Sequence, residues 1–249
     1  MIKIGLIGHP IRHSLSPRIH QLWLSLYGMD GVYTLLEGKT LTKPDLGRYI
    51  QDGFCGFNIT MPFKTAVIPF VDFPDELAHT IGAINTIRAT KNGTEGTNTD
   101  ALAIYSLLKD CPPFDRVVIL GTGGAARATA WACAQRGDLE IKMLMRDVIY
   151  SGDGLEKECQ GATLFVNATP IGMHTEGGGL GFNLPQSISP KCLVVDWVYF
   201  PKETNLLIEA KKRNLRCVSG LELFVAQAQE SFYYWFSIRP DTASLTGVF

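Results

Sequence analysis

The sequence predicts an α/β protein of alternating strands and helices, and three observations carry that expectation. The run Val117-Val118-Ile119-Leu120 is wholly aliphatic and rich in β-branched residues, the signature of a short strand buried on both faces of a parallel sheet. Glycines follow it at once, and an alanine-rich stretch to Ala134 then reads as a helix. Apolar strands also recur elsewhere and end in amide, hydroxyl or charge, and in open α/β sheets the carboxyl ends of strands are where ligands bind.

In chain order, Ile2 to Ile7 reads as a strand that Gly8-His9-Pro10 ends. Ser14-Leu15-Ser16-Pro17 precedes a helix expected from about Arg18 to Tyr27, with Ser16 as its N-cap and proline in the first turn. Two hydroxyls two residues apart at a helix mouth also suit a carboxylate, through side-chain donors and the positive end of the helix dipole. Val32 to Leu36 is a second strand, Pro44 to Gln51 a short helix, and Phe54 to Thr60 a strand broken by Met61-Pro62, with Lys64 just beyond. A helix is expected around Glu76 to Thr80, a strand from Gly82 to Ile87, a polar loop from Thr94 to Asp100, and a helix from Ala101 to Lys109. Asn58, Asn85 and Asn98 read equally as turn residues, and Asp100 as a helix cap.

Cys111-Pro112-Pro113 is the stiff joint expected at a domain boundary. Gly121, Thr122, Gly123, Gly124 and Ala125 then form a turn whose backbone can approach a ligand closely while the free amides of the following helix attract a phosphate. Glu140 to Met145 is the next parallel strand, ending at Arg146-Asp147. In a dinucleotide fold an acid at that strand end bonds the ribose 2′-hydroxyl of NAD, whereas arginine accommodates the 2′-phosphate of NADP. Arg146 points to NADP, and Asp147 keeps NAD open. Thr163 to Pro170 is a strand ending in Asn167 and Thr169, Gly177 to Gly181 a glycine-rich loop, Cys192 to Tyr199 a buried strand, and Thr204 to Arg213 a helix; a long helix follows Gly220.

Composition narrows the function further. The 249 residues are 46% hydrophobic, enough for one large domain or two modest ones. A net charge of −1, from 23 basic and 24 acidic residues, provides no field for nucleic acid or an anionic membrane, so neither partner is expected. The six cysteines are scattered without a CxxC, so no metal site or redox pair is expected. No apolar run approaches the roughly 20 residues that span a bilayer. With no signal-peptide pattern at the N-terminus, a cytoplasmic protein is expected.

Taken together, Pro10 to Pro17, Asn58 to Lys64, Gly82 to Thr86, Gly96 to Asp100, the glycine turn, Asn167 to Met173 and Gly220 to Gln227 make the chain resemble the shikimate dehydrogenase family over nearly its whole length. That resemblance implies a substrate-binding domain of residues 1–100 plus 221–249 and a Rossmann-like NADP-binding domain of residues 101–220, the C-terminal helix returning to the substrate domain. It implies reversible NADPH-dependent reduction of 3-dehydroshikimate to shikimate, a step of aromatic amino-acid biosynthesis. Lys64 and Asp100 would be the catalytic pair. Ser14 and Ser16 would hold the substrate carboxylate, Thr60, Asn85, Asp100 and Gln227 its ring hydroxyls, and Tyr199 would lie nearby. Gly121, Gly123, Gly124 and Ala125 would surround the pyrophosphate, Arg146 the 2′-phosphate, and Thr169 the nicotinamide side, with Leu223 beside it; Thr122, Asn167 and Gly220 would also bind the cofactor. The implied partner is a small-molecule substrate, on a monomer or homodimer.

Departures from the family pattern leave alternatives. Met145-Arg146-Asp147 stands where Asn-Arg-Thr or Asn-Arg-Ser is common, Leu223 where methionine usually lies, and Ala103 where glycine is frequent. A quinate/shikimate dehydrogenase using NAD, or a catalytically weak NADP-binding paralogue, fits the altered cofactor edge.

Overall fold

The computed structural model describes residues 1–151, 153–173, 183–245 and 247, without the side chains of Arg146 and Ile149. The chain divides into two compact units, Met1–Thr99 with Gln227–Phe249, and Asp100–Ala226. The glycine-rich stretch from Gly177 to Gly181 lies outside the described residues.

In the first unit, β1 (Ile2–Gly8), α1 (Ser16–Leu26), β2 (Gly31–Glu37), α2 (Lys43–Gln51) and β3 (Phe54–Ile59) alternate. β1 pairs in parallel with both β2 and β3. The connections from β1 and from β2 therefore leave in opposite directions, and a crevice forms at the carboxyl ends of β1 and β3. Beyond β3 follow β4 (Phe73–Pro74), α3 (Glu76–Ile81), β5 (Thr86–Thr90) and β6 (Gly93–Thr97), giving the sheet order β2-β1-β3-β5-β6-β4. β5 pairs antiparallel with β3 and β6.

Two local expectations change here. Residues 82–85 are not strand, because Gly82 adopts φ 66° and closes α3, its amide donating to the carbonyls of Ala78 and His79. The polar stretch from Thr94 is a strand and then a helix start instead of a loop. Its inward positions, Thr94 and Gly96, carry no apolar alternation, and cross-strand bonds to β5 decide the structure.

The second unit begins with α4 (Thr99–Leu108), whose first residue still belongs to the first unit. It continues with β7 (Arg116–Leu120), α5 (Gly124–Arg136), β8 (Glu140–Leu144), the short helices α6 (Arg146–Ile149) and α7 (Asp153–Glu158), β9 (Leu164–Asn167), β10 (Leu193–Asp196), α8 (Asn205–Lys212) and β11 (Arg216–Val218). The five strands are all parallel in the order β11-β10-β9-β7-β8, which places the switch point between β7 and β9. β7 is buried on both faces, as its composition requires. Val118 and Leu120 pack with Phe165, Val194 and the α8 residues Leu206 and Leu207, whereas Val117 and Ile119 pack with Ile104, Leu108, Ala126 and Cys133. The Cys111-Pro112-Pro113 joint is not the boundary. Ile104 and Leu108 of α4 belong to this core, and the Arg136 guanidinium donates to the carbonyls of Leu108, Cys111 and Pro112.

The final helix α9 (Gly220–Phe236) starts in the second unit and ends in the first. Ser219 and Glu222 form a capping box at its start, Glu222 accepting from the Ser219 amide at 2.8 Å and hydroxyl at 2.6 Å. At its other end Trp235 donates to the Ile87 carbonyl at 2.9 Å and leaves no room for a side chain at Gly56, whose Cβ would lie 2.7 Å from the indole nitrogen. All six cysteines are free, and burial pushes the thiols of Cys159 and Cys192 up to about 12.

Candidate active site

The loops after β1 and β3 carry the first group of candidate residues. Gly8 and Thr60 lie so close that a Cβ at position 8 would be 2.2 Å from the Thr60 methyl. Backbone bonds from Thr60 to Ile7 and from His9 to Met61, at 2.9 and 3.0 Å, join the two loops. Glu37 at the end of β2 anchors the first loop by accepting from the Ile11 amide and from Arg12. The Arg12 bond holds its carboxyl below the ordinary carboxylate range.

Ser16 is not the N-cap of α1. Leu15 occupies that position without a side-chain bond, and Ser16 is already the first helical residue. Ser14 bonds the helix start instead: its Oγ accepts the Ser16 amide at 3.2 Å and donates to the Ser16 hydroxyl at 3.1 Å. The two hydroxyls therefore face each other at a helix N-terminus, and neither is used as a conventional cap.

Asn85 sits buried between β3 and β6. Its Oδ1 accepts from the Thr99 amide at 2.7 Å and from the hydroxyls of Thr99 and Thr86, each at 3.1 Å. A backbone N–H can only donate, so the atom facing Thr99 is the oxygen. The amide nitrogen is directed away from these donors and has no hydrogen-bond partner among the described residues. Asp100 follows Thr99 in the first turn of α4 and is buried, a carboxylate favoured by the helix dipole. Lys64 is half-buried, and its carbonyl accepts the Ile84 amide at 2.7 Å. Asn98 completes the frame by donating to the Ala83 carbonyl at 2.9 Å. Lys64, Asn85 and Asp100 thus belong to segments joined directly by hydrogen bonds. Asn58, by contrast, is fully used: it accepts from Tyr33 at 2.8 Å and donates to Thr86 and Ser231.

In the second unit, the turn after β7 is built on glycines. Gly121 adopts φ +104° and lies against the loop after β9, where a Cβ would be 3.1 Å from both the Ala168 carbonyl and the Thr169 methyl. Gly123 is the N-cap of α5 and offers no side chain, while the space its Cβ would occupy is open. The first amides of α5 are therefore left for an anion. Thr122 is exposed on the same turn, and Gly124 and Ala125 open the helix.

The loop after β9 is built on a buried carboxylate. Asp196 accepts from Asn167 at 2.9 Å, from the Val198 amide at 3.0 Å and from the Thr204 hydroxyl at 2.6 Å, and burial raises its pKa. Asn167 in turn accepts from the Thr169 hydroxyl at 2.7 Å. Gly220 is required by packing, since a Cβ there would lie 2.2 Å from the Val198 carbonyl. Leu223 is fully buried with Ile104, Ile119 and Val166, so its side chain packs the core and offers no accessible surface. Tyr199 stacks on Phe224 at 5.0 Å, and burial raises its phenol pKa. Gln227 is half-buried one turn before Ser231 on α9. Arg146 opens α6 just after β8, and its side chain lies outside the described residues. Among the described residues no group of three or more His, Cys, Asp or Glu could hold a metal ion, and no helix is long and apolar enough to cross a membrane. Sequence reasoning missed Thr86, Thr99, Ser231 and Asp196. The first two stand inside motifs it singled out, but their role is visible only from their partners.

A parallel five-stranded unit with a glycine turn at its switch point and Asp100 at its first residue, together with an α/β unit whose strand ends carry hydroxyls, an amide and a lysine, defines a pyridine-nucleotide oxidoreductase of two α/β units. Residues 6–87 match the family model for the shikimate dehydrogenase substrate binding domain. A Mesorhizobium japonicum shikimate dehydrogenase (NADP(+)) is 34% identical, with 97% of this chain and 93% of that protein aligned. The Thermus thermophilus shikimate 5-dehydrogenase, solved with NADP(H) and shikimate, is similar with a TM-score of 0.86 and 29% identity over 100% of this chain and 98% of that one. A Corynebacterium glutamicum quinate dehydrogenase solved with NAD reaches the same TM-score at 26% identity, over 99% of this chain and 98% of that one. The chain belongs to the shikimate dehydrogenase family.

Proposed function

We propose that the chain catalyses the reversible NADPH-dependent reduction of 3-dehydroshikimate to shikimate. The single observation that carries the reading, beside family membership, is the bonded frame of Lys64–Ile84 and Asn85–Thr99, which brings a lysine, an unpaired amide nitrogen and the segment leading into Asp100 together. The nicotinamide supplies hydride to the ketone carbon when bound. Lys64 donates the proton that the developing alkoxide needs, and Asp100 orients and balances the ammonium. Asn85 donates its unused N–H to a ring hydroxyl, with Thr60 and Gln227 as further partners and Tyr199 nearby. A substrate carboxylate at the start of α1 would take the proton that Ser14 now donates to the Ser16 hydroxyl, while the Ser14 oxygen goes on accepting the Ser16 amide, and Ser16 would turn its own hydroxyl to the same group.

The fit for NADP rests on the cradle. Gly121, Thr122, Gly123, Gly124 and Ala125 would hold the pyrophosphate, Arg146 the 2′-phosphate, and Asn167, Thr169 and Gly220 the nicotinamide side. A second reading, quinate or shikimate oxidation with NAD, is favoured by the exposed Asp147 beside Arg146. Initial rates followed at the NADPH absorbance band, with both acids and both nucleotides, separate them. Shikimate with NADP should give the highest kcat/KM. A folded protein that turns over neither acid with either nucleotide, yet binds NADPH, would be a non-catalytic paralogue.

A further inference from the structure

Asn85 is held by a wider construction than its own three bonds. The hydroxyls of Thr86, Thr99 and Ser231 form a closed triangle with Thr86–Thr99, Thr86–Ser231 and Thr99–Ser231 all at 3.0 Å. All three residues are fully buried, and they come from β5, the first position of α4, and α9. Each corner also reaches outward. Thr86 and Thr99 contact Asn85 Oδ1 at 3.1 Å, and Ser231 donates to the Gln227 carbonyl, one turn earlier on α9, at 2.9 Å. Asn58 feeds the triangle from below, donating to Thr86 at 3.1 Å and to Ser231 at 2.9 Å.

Proton accounting shows why the corners act as one. Three hydroxyl protons face six contacts, namely the three edges, both contacts to Asn85 and the one to Gln227, so no more than three of the six carry a proton at once and the choice at one corner limits the other two. Removing Thr86 or Thr99 takes a donor from the buried Asn85 Oδ1, and removing Thr86 or Ser231 takes an acceptor from the buried Asn58 amide, where an unmet polar group is costly. The places where the chain passes from one unit to the other, after Thr99 and before Gln227, both fall on this network.

We infer that Thr86, Thr99 and Ser231 are positioning residues: their hydroxyl triangle sets the mutual placement of Asn85, of the α4 start that carries Asp100, and of the Gln227 turn of α9. The inference rests on the proposed function for what those residues bind. None of the three touches the reacting atoms. Their effect passes through the orientation of the Asn85 amide and the anchoring of two helices.

The test compares Thr86→Val, which removes the hydroxyl at nearly constant volume, with Thr86→Ser, which keeps it. Thr86→Val should raise the shikimate KM about tenfold or more while the NADP KM stays within about twofold, and Thr86→Ser should restore the substrate KM. Ser231→Ala should show the same split and serves if Thr86→Val fails to fold. A shikimate-induced rise in unfolding temperature, recorded without nucleotide, should shrink in parallel. A folded variant without its hydroxyl that keeps the wild-type shikimate KM overturns the inference, as does a Thr86→Ser variant as impaired as Thr86→Val. If the wild type neither turns over nor is stabilised by shikimate, the functional reading itself fails and this inference falls with it.

Discussion

Asn85 shows how one neighbouring donor decides what a side chain can do. The Thr99 amide forces the Asn85 oxygen inward, so the nitrogen is what remains for a ligand. Lys64 is the corresponding test of chemistry. Lys64→Ala should lower kcat by about 10²–10⁴-fold with a much smaller change in KM, and near-normal turnover would remove the proton-donor role. His20 makes a different prediction, about acid. It is fully buried, stacked on Tyr33 at 4.7 Å, and neither ring nitrogen has a hydrogen-bond partner, so burial holds its pKa down at about 3. The unfolded chain then binds the proton first as pH falls below about 6.5, and stability that is full above that value is lost down to about 3. At about 1.4 kcal/mol per pKa unit the loss is on the order of 4–5 kcal/mol. Denaturant titrations of His20→Phe should show a shallower fall between pH 6.5 and 4 than wild type, and parallel slopes would disprove the assignment. Lys64 and Asp100 were visible in the sequence because their chemistry is intrinsic. Thr86 and Ser231 were not, because a hydroxyl acquires a role only from what surrounds it.

At the scale of elements, strand ends and helix starts carry the candidate residues, and each is held by a local device. Asp196 ties the end of β10 to the loop after β9 and to the start of α8. Asp196→Ala leaves buried donors on Asn167, Val198 and Thr204 unmet, which should cost about 3 kcal/mol and weaken NADP binding more than shikimate binding. Calorimetric titration of both ligands checks that split, and equal losses would make Asp196 a stability residue only. The β8–α6 turn carries the nucleotide choice. Arg146→Ala should weaken NADP far more than NAD in the same titrations, and equal weakening would remove Arg146 from the 2′-phosphate. Strands with apolar runs, such as Val117 to Leu120, were readable because burial on both faces demands that composition. β6 was not, because Thr94 and Gly96 face inward and only pairing with β5 and β4 makes them strand. β11, with only three residues, carries too short a pattern to read against its parallel partner β10.

For the whole molecule, the two units each have their own hydrophobic cluster, so ligands should stabilise them separately. Nucleotide at about 100 times its Kd should add about 3 kcal/mol to the unit it binds. Hydrogen exchange with NADP should then protect the β7–α5 turn and the loop after β9, and shikimate the loops after β1 and β3. Protection by NADP confined to the first unit would contradict the cradle. The sequence by itself determined the α/β class, the buried strand and its glycine turn, and the residues able to do acid, hydroxyl and phosphate chemistry, since these follow from side-chain type and short-range spacing. Only the tertiary structure decided that Ser16 is not a cap, that Leu223 is core, and which way Asn85 presents its amide. Those outcomes depend on partners far away in sequence, and hydrogen-bond direction and burial exist only once the partners have met.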